Sequence, residues 1–144
     1  MNILVLYDSN FGNTEKIAET IATELNGKCC KVNDCNPESL IDVDVLIIGS
    51  PIIAWRPLPS ISKFIENLSA KFLTKTYVAV FDTRVKSIFS GNAAKHMANA
   101  LQIRGAKLLS EPQGVIVKGK EGPLAEHELE RAAAWARSFM RQIN

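Results

Sequence analysis

Most familiar catalytic signatures are missing from these 144 residues. There is no Gly-x-x-x-x-Gly-Lys-Ser/Thr segment to cradle a nucleoside triphosphate, and no Gly-x-Gly-x-x-Gly turn to receive a dinucleotide. Histidine occurs only at His96 and His127, far apart and each on a predicted helix, so neither is proposed as catalytic. The three cysteines, Cys29, Cys30 and Cys35, match no zinc spacing and have no histidine nearby to complete one. They read as reduced thiols in and just after a strand. No acid–base pair or nucleophile constellation stands out.

Charge excess and long apolar stretches are equally scarce. The formal net charge is only +2, so the chain lacks the basic footprint of a nucleic-acid binder. No stretch approaches the length of a membrane span, and the N-terminus has neither the basic region nor the cleavage site of a secretory signal. The expectation is a cytoplasmic protein that engages neither nucleic acid nor membrane. No linker, low-complexity segment or composition shift divides the chain, so one domain over residues 1–144 is expected. Its 47% apolar content suffices for a proper core.

What is present is an alternation of strands and helices. Ile3 to Tyr7 is a nearly unbroken apolar run, the pattern of a strand buried on both faces of a parallel sheet. Turn formers follow from Asp8 to Asn13. From Thr14 the period becomes helical, with Ile17, Ala18, Ile21, Ala22 and Leu25 on one stripe and Asn26-Gly27 as the stop. Cys29 to Asn33 is a short strand, and residues 37–42 are a partly irregular crossover. Val43 to Gly49 is a strong strand, followed by a loop from Ser50 to Pro59 and a helix over residues 60–69. Tyr77 to Phe81 is the next strand, Asp82 to Asn92 its loop, and Ala93 to Arg104 a helix. The last strand is short or interrupted, with Pro112-Gln113-Gly114 between its two apolar pieces, and Gly122-Pro123 is expected to open the final helix.

Strands and helices alternating in this order argue for a doubly wound α/β sandwich. In such a sheet, ligands sit beyond the carboxyl ends of the strands, where the strand order reverses. Those ends are residues 8–14, 50–59 and 82–92. In the first, a strand, a polar loop and a helix N-terminus combine into an anion site. Ser9, Asn10, Gly12, Asn13 and Thr14 supply hydroxyls, amides and close backbone with no lysine among them. That chemistry suits one terminal phosphomonoester held by neutral donors.

Ser9-Asn10-Phe11-Gly12-Asn13-Thr14 resembles the first loop of the flavodoxin-like family, roughly Ser/Thr-x-Thr-Gly-Asn-Thr, with Phe11 as the departure. The resemblance implies a three-layer sandwich whose five parallel strands lie in the order 2-1-3-4-5. It also implies FMN, with its phosphate on Ser9 to Thr14. Gly49-Ser50-Pro51-Ile52-Ile53-Ala54-Trp55 is similar to the family's Gly-Ser-Pro-Thr-aromatic loop, whose ring stacks on the flavin. Here isoleucines stand at the usual threonine and aromatic places. Either Trp55 takes the stacking position, or Ile53 packs there with Trp55 at the rim. Arg56 and Pro57 replace the family's glycine-containing turn, and a cation there would favour the anionic, two-electron reduced flavin.

The third loop lacks the Gly-x-Gly-Asp-Ser-x-Tyr motif of long-known flavodoxins. Phe81-Asp82-Thr83-Arg84 instead resembles a branch of small flavodoxin-like proteins of unassigned role. The resemblance puts Asp82, Thr83 and Arg84 at the pyrimidine edge; Phe89 is the aromatic available as an outer cover, and Ser90-Gly91-Asn92 reads as the cap of the next helix rather than a ligand contact, since serine and asparagine are favoured there. It implies an electron carrier working between redox proteins, as a monomer or homodimer, without the strongly acidic face many flavodoxins carry. Electron transfer fits better than substrate transformation, since no acid–base pair is in sight. Two alternatives stay open. One is a flavin-dependent NAD(P)H or quinone reductase acting as a homo-oligomer. The other is a module that keeps the fold but has lost FMN, for which Phe11, Ile52 and Ile53 are the telling residues.

Overall fold

A computed structural model describes residues 1–87 and 91–143. Its elements are, in chain order, β1 (Ile3–Tyr7), α1 (Asn13–Leu25), β2 (Lys28–Lys31), β3 (Val45–Pro51), α2 (Pro59–Glu66) and α3 (Ala70–Lys75). Then follow β4 (Tyr77–Val85), α4 (Ala93–Ile103), β5 (Lys107–Leu108), β6 (Gln113–Val117) and α5 (Glu128–Met140). The strands run in the order β2-β1-β3-β4-β5, with β6 also on β4, and every pairing is parallel. This is the expected flavodoxin-like order. Of the two expectations for the fifth strand, short or interrupted, the structure shows the second: β5 pairs with Tyr77 and Val78, and β6 with Phe81 to Val85.

The apolar runs are central because both faces of the sheet are covered. Successive strand side chains point to opposite faces, and the core divides accordingly. Leu4, Leu6, Leu46, Ile48, Val78 and Val80 pack with Ile61 and Ile65 of α2, Leu73 of α3, and Met97 and Leu101 of α4. Val5, Ile47, Ala79 and Phe81 pack with Ile17 and Ile21 of α1 and Ala136 and Phe139 of α5. The result is three layers with the strand ends left free to carry loops.

Several boundaries depart from expectation, each for a local reason. β4 does not stop at Phe81 but continues through Asp82, Thr83 and Arg84 to Val85, because β6 supplies a partner along that whole stretch. The helix over residues 60–69 ends at Glu66, and Ser69 caps a separate α3 by accepting from the Phe72 N–H at 3.1 Å. The final helix starts at Glu128 rather than at Gly122-Pro123. Residues 123–125 bond back to β6 instead: Lys118 N–H donates to Pro123 O (2.8 Å), and Ala125 N–H to Ile116 O (2.9 Å). α5 is then fastened to β6 by Glu128, whose carboxylate accepts from Ile116 N–H at 2.7 Å and from Arg131 Nη2 at 2.7 Å. That guanidinium, helped by the Ile116 N–H, holds the Glu128 carboxyl below the usual carboxylate range against the opposing effect of burial.

The three cysteines are unpaired thiols. Cys29 keeps an exposed surface, and partial desolvation, then neighbouring acidic groups, pushes it up to about 11; burial with the nearby Cys30 does the same to the half-buried Cys35. Among the described residues, no group of side chains is arranged to hold a metal ion, and no helix is long and apolar enough to cross a membrane.

Candidate functional site

The loop after β1 is shaped by its own polar groups. Ser9 N–H donates to Asp8 Oδ1 at 2.8 Å, and Gly12 N–H donates to Ser9 Oγ at 2.9 Å. Asp8 also accepts from the Ser60 hydroxyl, which ties the loop to α2. Gly12 then turns into α1 at φ +88°, a conformation glycine adopts without steric cost. No side chain caps the helix. The amides of its first turn are therefore left for another acceptor, and the dipole favours an anion there. Thr14 is buried, and its Oγ1 lies 2.8 Å from Thr83 Oγ1 at the end of β4. Asn13 is buried too, its Nδ2 donating to Glu121 O at 3.2 Å.

The loop after β3 is a miniature hairpin that the sequence does not announce. Ile53 N–H donates to Arg56 O (2.8 Å) and Arg56 N–H to Ile53 O (3.0 Å), closing a two-residue turn. Ala54 and Trp55 occupy its centre at φ 49° and 67°. Two positive φ angles define a type I′ turn, normally the province of Asn-Gly. Trp55 is held at the tip, 62% exposed, against Gly91: a Cβ on that glycine would fall 2.6 Å from the Trp55 Cα. Ser50 closes the loop's base, accepting from Leu58 N–H at 2.9 Å and donating to Pro51 O at 2.8 Å.

At the end of β4, Asp82 is fully buried. Its carboxylate takes Arg84 Nε and Nη2, both at 2.7 Å, and the Ala94 N–H at 2.8 Å. Burial pushes this carboxyl above the usual range, against the pull of Arg84 and the α4 amides. Arg84 Nη2 also donates to Asn92 Oδ1 at 3.0 Å, and Asn92 caps α4 through Lys95 N–H. The cap expected at 90–92 is thus carried by Asn92. The outer cover assigned to Phe89 lies outside the described residues, as do Ile88 and Ser90.

These three segments enclose a cleft of about 560 Å³. Ser9, Asn10, Phe11, Asn13 and Thr14 line it from the first loop, Pro51, Ile52, Ile53, Ala54 and Trp55 from the second, and Thr83 and Arg84 from β4. Three expected residues stand behind the wall instead. Gly12 turns the helix, Ser50 braces the hairpin, and Asp82 is consumed by Arg84 and α4. Arg56, expected to bring a cation to the ligand, is exposed and is not among the described residues lining the cleft. The lining cations are Arg84 and Lys120. Lys120, Val85, Ser87 and Val117 escaped the sequence reading. Val85 and Ser87, inside the strand-end segment 82–92, and Val117, at a strand's carboxyl end, carried a signal of position; Lys120 carried none.

The cleft runs from the uncapped amino end of α1 to an apolar wall of Ile52, Ile53, Trp55 and Val85. Phe11, Ile53, Trp55 and Val85 are large apolar side chains left 37–62% exposed around it. Such a site suits a planar, largely apolar ligand carrying a phosphate or carboxylate tail.

Known proteins agree with the architecture. An uncharacterized protein of Methanocaldococcus jannaschii is 31% identical over 112 residues, covering 77% of this chain and 73% of that one. A flavodoxin of Clostridium beijerinckii is 37% identical over 84 residues, covering 54% of this chain and 60% of its own. The solved structure of a flavodoxin from the domain Archaea superposes with a TM-score of 0.84 at 17% identity, over 99% of both chains. The sequence model of the family described as a flavodoxin domain matches residues 4–143. By that match the chain belongs to the flavodoxin family.

Proposed function

We propose that the cleft binds FMN non-covalently and that the protein passes electrons between redox partner proteins. The observation that carries this reading is the uncapped amino end of α1 opening into a cleft with an apolar far wall. Its first-turn amides, Ser9 and Asn10 suit a phosphate; Ile52, Ile53, Trp55 and Val85 suit the face and edge of a fused ring. Family membership supports the choice of FMN over another phosphorylated ligand. When bound, FMN supplies one- and two-electron chemistry, while the protein sets its orientation and its exposure to partners. The chain's own groups hold and screen the ligand rather than transform a substrate. Among the described residues lining the cleft there is no histidine, cysteine or carboxylate to act as acid, base or nucleophile.

Titrating the apoprotein with FMN, followed by flavin fluorescence and visible absorption, tests the reading. Stoichiometric quenching with a shifted flavin band is expected, together with no NAD(P)H oxidation by the loaded protein alone. Absence of binding with FMN in large excess would refute the assignment.

A further inference from the structure

We infer that Lys120 is the counter-charge for the ligand's phosphate, so that the cleft selects a phosphorylated flavin over its uncharged parent by charge as well as by hydrogen bonds. This rests on the FMN reading above. The phosphate loop itself is neutral or worse. Ser9, Asn10, Gly12, Asn13 and Thr14 bring no cation, while Asp8 opens the loop and Glu15 sits in the first turn of α1. Both carboxylates are already engaged, Asp8 by Ser60 and the Ser9 N–H, Glu15 by the Tyr7 hydroxyl at 2.9 Å. These acidic residues nevertheless flank the loop where a dianion would arrive, and the helix dipole supplies only about half a positive charge.

Among the described residues, two cations line the cleft, and one of them is already paired. Arg84 is spent on Asp82 through two 2.7 Å bonds. Among the described residues, Lys120 has no carboxylate partner. Its position is fixed by backbone. Gly122 N–H donates to Gly119 O at 2.9 Å, closing a turn with Lys120 and Glu121 at its centre. Asn13 pins that turn to the start of α1, donating to Glu121 O at 3.2 Å. Gly122 packs so closely on the same carboxamide that a Cβ there would lie 2.8 Å from Asn13 Oδ1. The turn is therefore stapled to the helix end that faces the anion, and Lys120 lines the cleft with Asn13 and Thr14. A lysine on a short rigid turn gives a point charge with three donors, enough to close an otherwise neutral cradle.

The test compares FMN with riboflavin, which lacks the phosphate, by fluorescence titration of the apoprotein at low and high salt. Lys120→Gln is expected to weaken FMN about tenfold, to leave riboflavin unchanged, and to flatten the salt dependence of FMN binding. Lys120→Arg should restore most of the loss. Lys118→Gln removes the same net charge from a neighbouring exposed residue and should change neither affinity by more than about twofold. Lys120 is exposed, so a matched thermal midpoint will show that the variant is folded. FMN affinity unchanged in Lys120→Gln, or equal losses for FMN and riboflavin, would overturn the inference while leaving the FMN assignment intact. Failure of the wild-type protein to bind either flavin would bring down both.

Discussion

Thr14 and Thr83 join the first helix to the end of the fourth strand through one buried contact, hydroxyl to hydroxyl at 2.8 Å, with the residues 1% and 6% exposed. Replacing either by valine keeps the shape and strands the other hydroxyl in a dry place. An unpaired buried donor or acceptor costs about 1–3 kcal/mol, and the added methyl returns up to about 0.8 kcal/mol. Thr83→Val and Thr14→Val should therefore each cost about 1–2 kcal/mol, which for a domain of this size lowers the thermal midpoint by about 3–8 °C. Replacing both removes the stranded group altogether. The double variant should melt within about 2 °C of the wild type, since matched apolar substitution of both partners is nearly neutral. Calorimetry or denaturant unfolding of the four proteins completes the cycle. Additive losses, with the double variant worse than either single, would refute the claim that the pair matters as a pair.

Other perturbations follow from contacts already described. Gly49→Ala would place a Cβ 2.1 Å from Phe81 Cζ, so a loss of about 3 kcal/mol in urea unfolding is expected, partly recovered by adding Phe81→Leu. Ala54→Asn should raise stability by about 0.5–1 kcal/mol, because asparagine tolerates the left-handed conformation that alanine holds there at φ 49°; a lower thermal midpoint would show the turn to be unstrained. Glu128 titrates low in the folded chain, so its stabilising effect is present above the unfolded carboxylate value and fades as pH falls through the folded one. Glu128→Gln should thus cost about 2 kcal/mol at pH 7, and the gap to the wild type should narrow below about pH 4. With the half-buried Cys35 at about 11, its alkylation at pH 8 should proceed at about a hundredth of the rate in the unfolded chain; a comparable rate would contradict the burial.

The fold was legible wherever burial was uniform. Ile3 to Tyr7 and Val45 to Ile48 are apolar without a break because helices cover both faces, and few other structures produce that pattern. Legibility failed where polar residues were neutralised at a distance. Asp82 and Arg84 look like loop residues, yet each cancels the other's charge and β6 pairs with the backbone between them. Gly122-Pro123 has the composition of a helix start, but Leu124 bridges to Val117 and delays the helix to Glu128. The first loop was readable because its donors are consecutive in sequence. Lys120 was not, since it reaches the same cleft through long-range contacts, the pairing of β6 with β4 and the bond from Asn13 to Glu121, 108 residues apart. The hairpin at residues 53–56 hid for a different reason: its turn uses Ala54 and Trp55 where glycine or asparagine would have signalled it.

The two tryptophans give the molecule a pair of independent optical reporters. Trp135 lies edge-on between Phe81 and Phe139, at centroid separations of 6.3 and 4.9 Å, with its indole N–H on Ser110 Oγ. Trp55 stands largely in solvent at the tip of the residue 53–56 turn, lining the cleft. Blue emission will then track the integrity of the interior, while red emission, open to iodide, will track whatever enters the mouth beside it.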